Sequence, residues 1–111
     1  MHAHFVAKKD AAVVALIKRE GAIPIVRGNT PQLAWVGHTD NRVFGLAKNP
    51  YDPTRTTSGS SGGDAGLVAS KCVPFAIGTD IGGSVRAPAA CNGILGFKPT
   101  SQRSSMRGGV N

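Results

Sequence analysis

The sequence predicts an α/β chain, and three observations carry that expectation. An amphipathic helix with start and stop signals over 10–20 runs directly into a short apolar stretch at 22–26. Two more short apolar stretches follow at 75–78 and 94–98, each after a glycine- and serine-rich turn and a short helical piece. A helix that feeds a buried strand is the local unit of layered α/β architecture.

Each element has a physical reason. Asp10 is placed to cap the free N–H groups of the first helical turn, and Gly21 to take the left-handed exit. Val13, Leu16 and Ile17 share one face, which has to pack on something. The stretch at 22–26 reads as a strand whose Pro24 sits at its start or edge. From Gly28 to Thr57 the periodicity dissolves into turn signals, Asn-Thr-Pro, Thr-Asp-Asn and Asn-Pro-Tyr-Asp-Pro, broken by short apolar pieces at 33–36 and 43–46. So long an irregular excursion is expected to be functional or to lean on a partner. A short helix over 65–71, a strand over 75–78, a helix starting at 85–90 and a strand over 94–98 complete the chain. Thr100 onward reads as a polar surface tail.

With 111 residues the chain holds one domain at most. An apolar share of 41% allows a modest core. The fifteen glycines are clustered, which points to chemistry shaped by the backbone rather than to disorder. The net charge of +7 raises nucleic-acid binding. However, Lys8, Lys9, Lys18 and Arg19 lie near one end and Arg103 and Arg107 near the other, with no basic run interleaved with aromatics. No zinc-finger, RNA-recognition or homeodomain spacing is present, so the charge reads as a solvated surface with no specific nucleic-acid partner. Cys72 and Cys91 stand 19 residues apart, without a C-x-x-C pair or histidine spacing, which argues against a metal site and suits thiols in a reducing compartment. No cofactor motif is visible. The opening MHAHFVAKKD carries no long apolar run and reads as neither signal peptide nor membrane helix. The expectation is an intracellular protein, cytoplasmic or membrane-associated through regions outside this chain.

Two segments can carry chemistry, Gly59-Ser60-Ser61-Gly62-Gly63 and Gly78-Thr79-Asp80-Ile81-Gly82-Gly83-Ser84. Each sets serine beside residues that let the backbone approach a ligand and reach positive φ. Consecutive glycines can aim several N–H groups into one concavity, which suits a developing oxyanion. Taken singly, either segment also fits a flexible loop. Neither ends in the Lys-Ser/Thr of a phosphate loop. Gly59–Gly63 matches the G-x-S-x-G nucleophile elbow, but NPYDPTRTTS ahead of it is loop rather than strand. The histidines, His2, His4 and His38, all precede the serine, whereas the elbow fold places its base after it.

Together, SGSSGGDAG and GTDIGGSVRAPAACNGILGFKPT closely resemble the amidase signature family, and with NPYDP they look most like its fatty acid amide hydrolase branch. The 24-residue separation of Ser60 and Ser84 is the one that family uses between its two catalytic serines, and the resemblance runs through REGAIPIVRGNTPQ and NPYDPTRT to cover about 10–105. It implies a partial copy of a mixed sheet with flanking helices and active-site loops. A segment over 1–9 stays unassigned, and 106–111 forms a tail. It further implies hydrolysis of a carboxylic amide through an acyl-serine, with Ser84 as nucleophile and Ser60, after a cis peptide bond, as bridging serine. The N–H groups of Ile81, Gly82, Gly83 and Ser84 would form the oxyanion hole, supported by Ser61, Asp80 and Arg86. Lys98 matches a structural position.

The family's catalytic lysine belongs to a strand ahead of the first helix, and residues 1–9 do not resemble that segment. Ser58, where glycine is common, and Arg27 are smaller departures. The isolated chain is therefore expected to turn over little amide and to need the rest of the amidase fold, from the same gene or a partner chain. The uncovered strands would favour aggregation. Two alternatives stand beside the hydrolase, the amidase subunit of a glutamyl-tRNA amidotransferase and a non-catalytic remnant in a structural or interaction role.

Overall fold

The computed structural model describes residues 6–103, 105, 107 and 108. It divides into two compact units, one formed by the residues up to Val26 with those from Pro99 onward, the other Arg27–Lys98. The segments expected to be an unassigned start (1–9) and a tail (106–111) lie largely outside the described residues.

In the first unit the expected helix forms as α1, Ala12–Arg19. Asp10 does not cap it. The helix begins one residue later than capping by Asp10 requires, and the Asp10 carboxylate instead accepts from Lys18 Nζ at 2.8 Å. The residues after Thr100 are not a free tail either, because the Ala12 N–H donates to the Arg107 carbonyl at 2.9 Å and so satisfies one orphan donor of the first turn. Gly21 does take the left-handed exit, at φ +92°.

The second unit contains a hairpin and two helices. β1 (Asp40–Asn41) pairs antiparallel with β2 (Gly45–Leu46). Its connection closes because Asn41 Oδ1 accepts from the N–H groups of Val43 and Phe44, at 3.0 and 2.8 Å. Order thus reaches into the excursion expected to be irregular. Helix α2 spans Gly62–Ala69, three residues ahead of the expected start, and α3 spans Arg86–Cys91. The two are in contact, and the residues they bury are small, Gly62, Ala65 and Ala69 on α2 and Pro88 and Ala89 on α3. Pro88 lies in the first turn of α3, where its missing N–H costs nothing.

The α-helices α1, α2 and α3 end alike. The residue after each C-cap is left-handed, Gly21, Lys71 (φ +62°) and Gly93 (φ +65°). The next N–H reaches back five residues, from Ala22 to Ile17, Cys72 to Leu67 and Ile94 to Ala89.

The strands expected at 22–26, 75–78 and 94–98 do not form. A strand needs a ladder partner, and none pairs with these segments among the described residues. The last keeps the alternation of a strand nonetheless: Ile94, Gly96 and Lys98 are partly buried while Leu95 and Phe97 are 93% and 77% exposed. Apolar burial is correspondingly slight, with Ala65, Ala69 and Ala89 the buried hydrophobic side chains of the described residues. The largest fully buried side chains are Asn92, Thr39, Thr57 and Pro88. Three of these four are polar, so the second unit is held chiefly by hydrogen bonds.

Candidate active site

The two serine-bearing segments meet. The Ser61 N–H donates to the Ser84 carbonyl at 3.2 Å. Ser61 Oγ accepts from the Thr79 N–H at 3.2 Å and donates to the Thr79 carbonyl at 3.3 Å. This close seam explains Gly78, whose Cβ would stand 2.6 Å from Ser61 Oγ. The Gly59–Ser60 peptide bond is cis. Ser60 and Ser61 are buried, whereas Ser84 is half-buried.

Asp80 organises the second segment. Its Oδ1 accepts from the Gly83 N–H at 2.7 Å, and its Oδ2 from the N–H groups of Val85 and Arg86 at 3.1 and 3.3 Å. Arg86 adds two side-chain bonds, Nε to Oδ2 and Nη2 to Oδ1, both 3.0 Å. The Arg86 guanidinium, foremost, and these N–H groups hold the Asp80 carboxyl far below the usual carboxylate range, against the opposing effect of burial. One N–H of the expected oxyanion hole, that of Gly83, is thereby committed to Asp80. Those of Ile81, Gly82 and Ser84 have no acceptor among the described residues. Gly83, at φ +122°, supplies the turn that only glycine adopts readily.

Residues outside the two motifs brace the site, and sequence reasoning did not single them out. Thr39 Oγ1 lies 2.9 Å from the Ser58 carbonyl and 3.3 Å from that of Ser60, and accepts from the Gly62 N–H at 3.0 Å. Asn92, fully buried, donates from Nδ2 to the carbonyls of Thr57 (2.9 Å) and Pro88 (2.7 Å), tying the first serine segment to α3. Asn49 donates to the Cys91 carbonyl at 2.8 Å. Thr-Asp-Asn and Asn-Pro were visible as turn signals, but only the fold shows that these side chains point inward. Gly62 and Gly63 fit because a Cβ on the first would collide with the hydroxyls of Thr39 and Thr57, and on the second with the backbone of Asn29.

No group of three or more His, Cys, Asp or Glu side chains that could hold a metal ion occurs among the described residues. No helix among them is long and apolar enough to cross a membrane.

A family model described as Amidase matches residues 1–111. The chain belongs to the amidase family. Its sequence is 51% identical over 100 residues to the A subunit of the glutamyl-tRNA(Gln) amidotransferase of Aromatoleum aromaticum, covering 90% of this chain and 20% of that protein. It is 48% identical over 105 residues to the protein of the same name from Coxiella burnetii, covering 95% and 22%. Among solved structures it superimposes on a fatty acid amide hydrolase with a TM-score of 0.91 and 35% identity, over 95% of this chain and 18% of that one. The chain thus spans about a fifth of the length of the relatives it matches. It carries the backbone of an amidase-signature fragment, and amide carbon–nitrogen hydrolysis is the chemistry of the amidase family.

Proposed function

We propose that this chain supplies the serine-bearing part of an enzyme that hydrolyses a carboxylic amide through an acyl-serine intermediate. The observation that carries the reading is the seam from Ser61 to Ser84 and Thr79, which sets the Ser60 segment beside the turn that ends in Ser84. Ser84 Oγ attacks the amide carbonyl carbon and passes its proton to Ser60, which gives its own to a base, and that base later returns a proton to the leaving amine. The tetrahedral oxyanion receives the free N–H groups of Ile81, Gly82 and Ser84, while Asp80 and Arg86 fix the turn that aims them. The leaving amine departs with a proton, and water then releases the acid from Ser84. A serine hydroxyl needs a base to attack, which in the family is a lysine. The matched positions of this chain provide none, so the rest of the amidase fold, in the same polypeptide or a partner chain, would contribute it.

The relatives at 48–51% identity favour a second reading of the same site, an amidotransferase component that takes its nitrogen from a small amide. Both readings suit an intracellular, cytoplasmic enzyme.

Intact-mass measurement after exposure to a fluorophosphonate tests the function, with Ser84→Ala as control. One adduct that vanishes in the mutant supports it. Folded protein with no adduct would mean that the site is incomplete here, the chain being a fragment that needs the rest of the fold or a structural remnant of the family. Protection of the adduct site by glutamine, but not by a long-chain primary amide, would select the amidotransferase reading.

A further inference from the structure

We propose that Thr39 is a positioning residue for the bridging serine, its hydroxyl holding the Ser60 segment from both sides; this rests on the reading of Ser60 as the bridge. A threonine hydroxyl has one proton and two lone pairs. At Thr39 the oxygen accepts from the Gly62 N–H at 3.0 Å and donates towards the carbonyl of Ser58, at 2.9 Å, with that of Ser60 as the alternative at 3.3 Å. One atom therefore fixes the residues before and after the serine.

The Gly62 N–H opens α2 and has no acceptor within that helix, and Ser61 makes no side-chain cap bond to it. Thr39 supplies the cap from a distant segment. It can do so because the hairpin delivers it. Thr39 immediately precedes β1, its carbonyl accepts from the Ala47 N–H at 2.8 Å just after β2, and the residue is fully buried. A valine would fill the same space yet leave the buried Gly62 donor unpaired, with Thr57 Oγ1 at 3.3 Å left as the Ser58 carbonyl's donor.

Two measurements on the full chain test this, with Thr39→Val and Thr39→Ser. The first is amide hydrogen exchange resolved at Gly62, with the Ala89 and Asn92 N–H groups as internal reference. Thr39→Val is expected to speed exchange at Gly62 by about tenfold and leave the reference unchanged, while Thr39→Ser keeps the original rate. Unchanged exchange in Thr39→Val, or loss of protection in Thr39→Ser, overturns the proposal. If Thr39→Val does not fold, Thr39→Ser decides by the same criterion. The second is the rate of Ser84 phosphonylation, expected to fall in Thr39→Val to the level of Ser60→Ala and to recover in Thr39→Ser. A normal rate in Thr39→Val beside a slow Ser60→Ala overturns the positioning role. An unlabelled wild-type chain would mean instead that the site is incomplete without the rest of the fold, and exchange at Gly62 would then decide alone whether Thr39 holds the segment.

Discussion

Asp80 and Arg86 form a two-pronged ion pair whose members differ sharply in setting. The Asp80 side chain is 3% exposed and that of Arg86 is 55% exposed. The carboxylate is thus enclosed by donors on its own turn, and the guanidinium closes the ring from outside. A paired carboxylate of this kind also links the shape of the turn to pH.

Asp80 is held ionised foremost by the Arg86 side chain, and then by the N–H groups of Val85, Gly83 and Arg86, against desolvation. An unfolded aspartate titrates near about 3.9. The stability Asp80 contributes is therefore complete above about pH 4 and is lost as pH falls below it. Asp64 has the opposite sign: burial raises it, against N–H bonds from its own backbone and Gly28, so its contribution is present at low pH and lost as pH rises. Asp80→Asn is expected to melt lower than wild type at pH 7 and to approach it as pH drops from about 4 to about 2. Asp64→Asn should melt higher at pH 7 and converge with wild type below about pH 4. Thermal melts across that range read both.

Gly63→Ala should destabilise the chain by about 1–3 kcal/mol or more, because its Cβ would meet the N, O and Cα of Asn29, which cannot rotate away. Gly82→Ala, whose Cβ would have nothing within 4 Å, should stay within about 0.5 kcal/mol. Urea unfolding of the two side by side separates steric need from mere glycine content.

Lys71→Gly should be a gain. α1 and α3 end on glycine in the left-handed position, and α2 alone places an L-residue with a side chain there, at φ +62°. Relief of about 1 kcal/mol is expected in chemical unfolding.

Asn92→Asp should cost about 3 kcal/mol or more. It would place a carboxylate at a fully buried position where Asn92 Oδ1 has no hydrogen-bond partner. Asn92→Ala, which strands the Thr57 and Pro88 carbonyls, should cost about 2 kcal/mol. Calorimetry of both variants checks the order.

Helix α1 is legible because it carries its own signals, an apolar face and the stop at Gly21. The register of α2 is not, since Gly62 and Gly63 look like turn residues and the Thr39 hydroxyl that caps the helix there lies 23 residues away in the chain. The apolar runs at 22–26, 75–78 and 94–98 have the composition of strands but do not form them, because pairing depends on a neighbour that local sequence does not encode. Within the site, the serines and the glycine turn stood out by spacing, and the structure brings their segments together. Thr39, Asn49 and Asn92 did not, because an inward-facing polar side chain in a loop has the same local sequence as an outward-facing one.

The polar interior has a thermodynamic consequence. Heat capacity rises on unfolding mainly because apolar surface becomes wet, and exposure of polar groups works against that rise. A unit whose largest fully buried side chains include Asn92, Thr39 and Thr57 should therefore unfold with a heat-capacity increment well under the usual ~12–15 cal/mol/K per residue. Its stability curve would be broad and flat, so cooling or mild warming would change the hold on the two serines little.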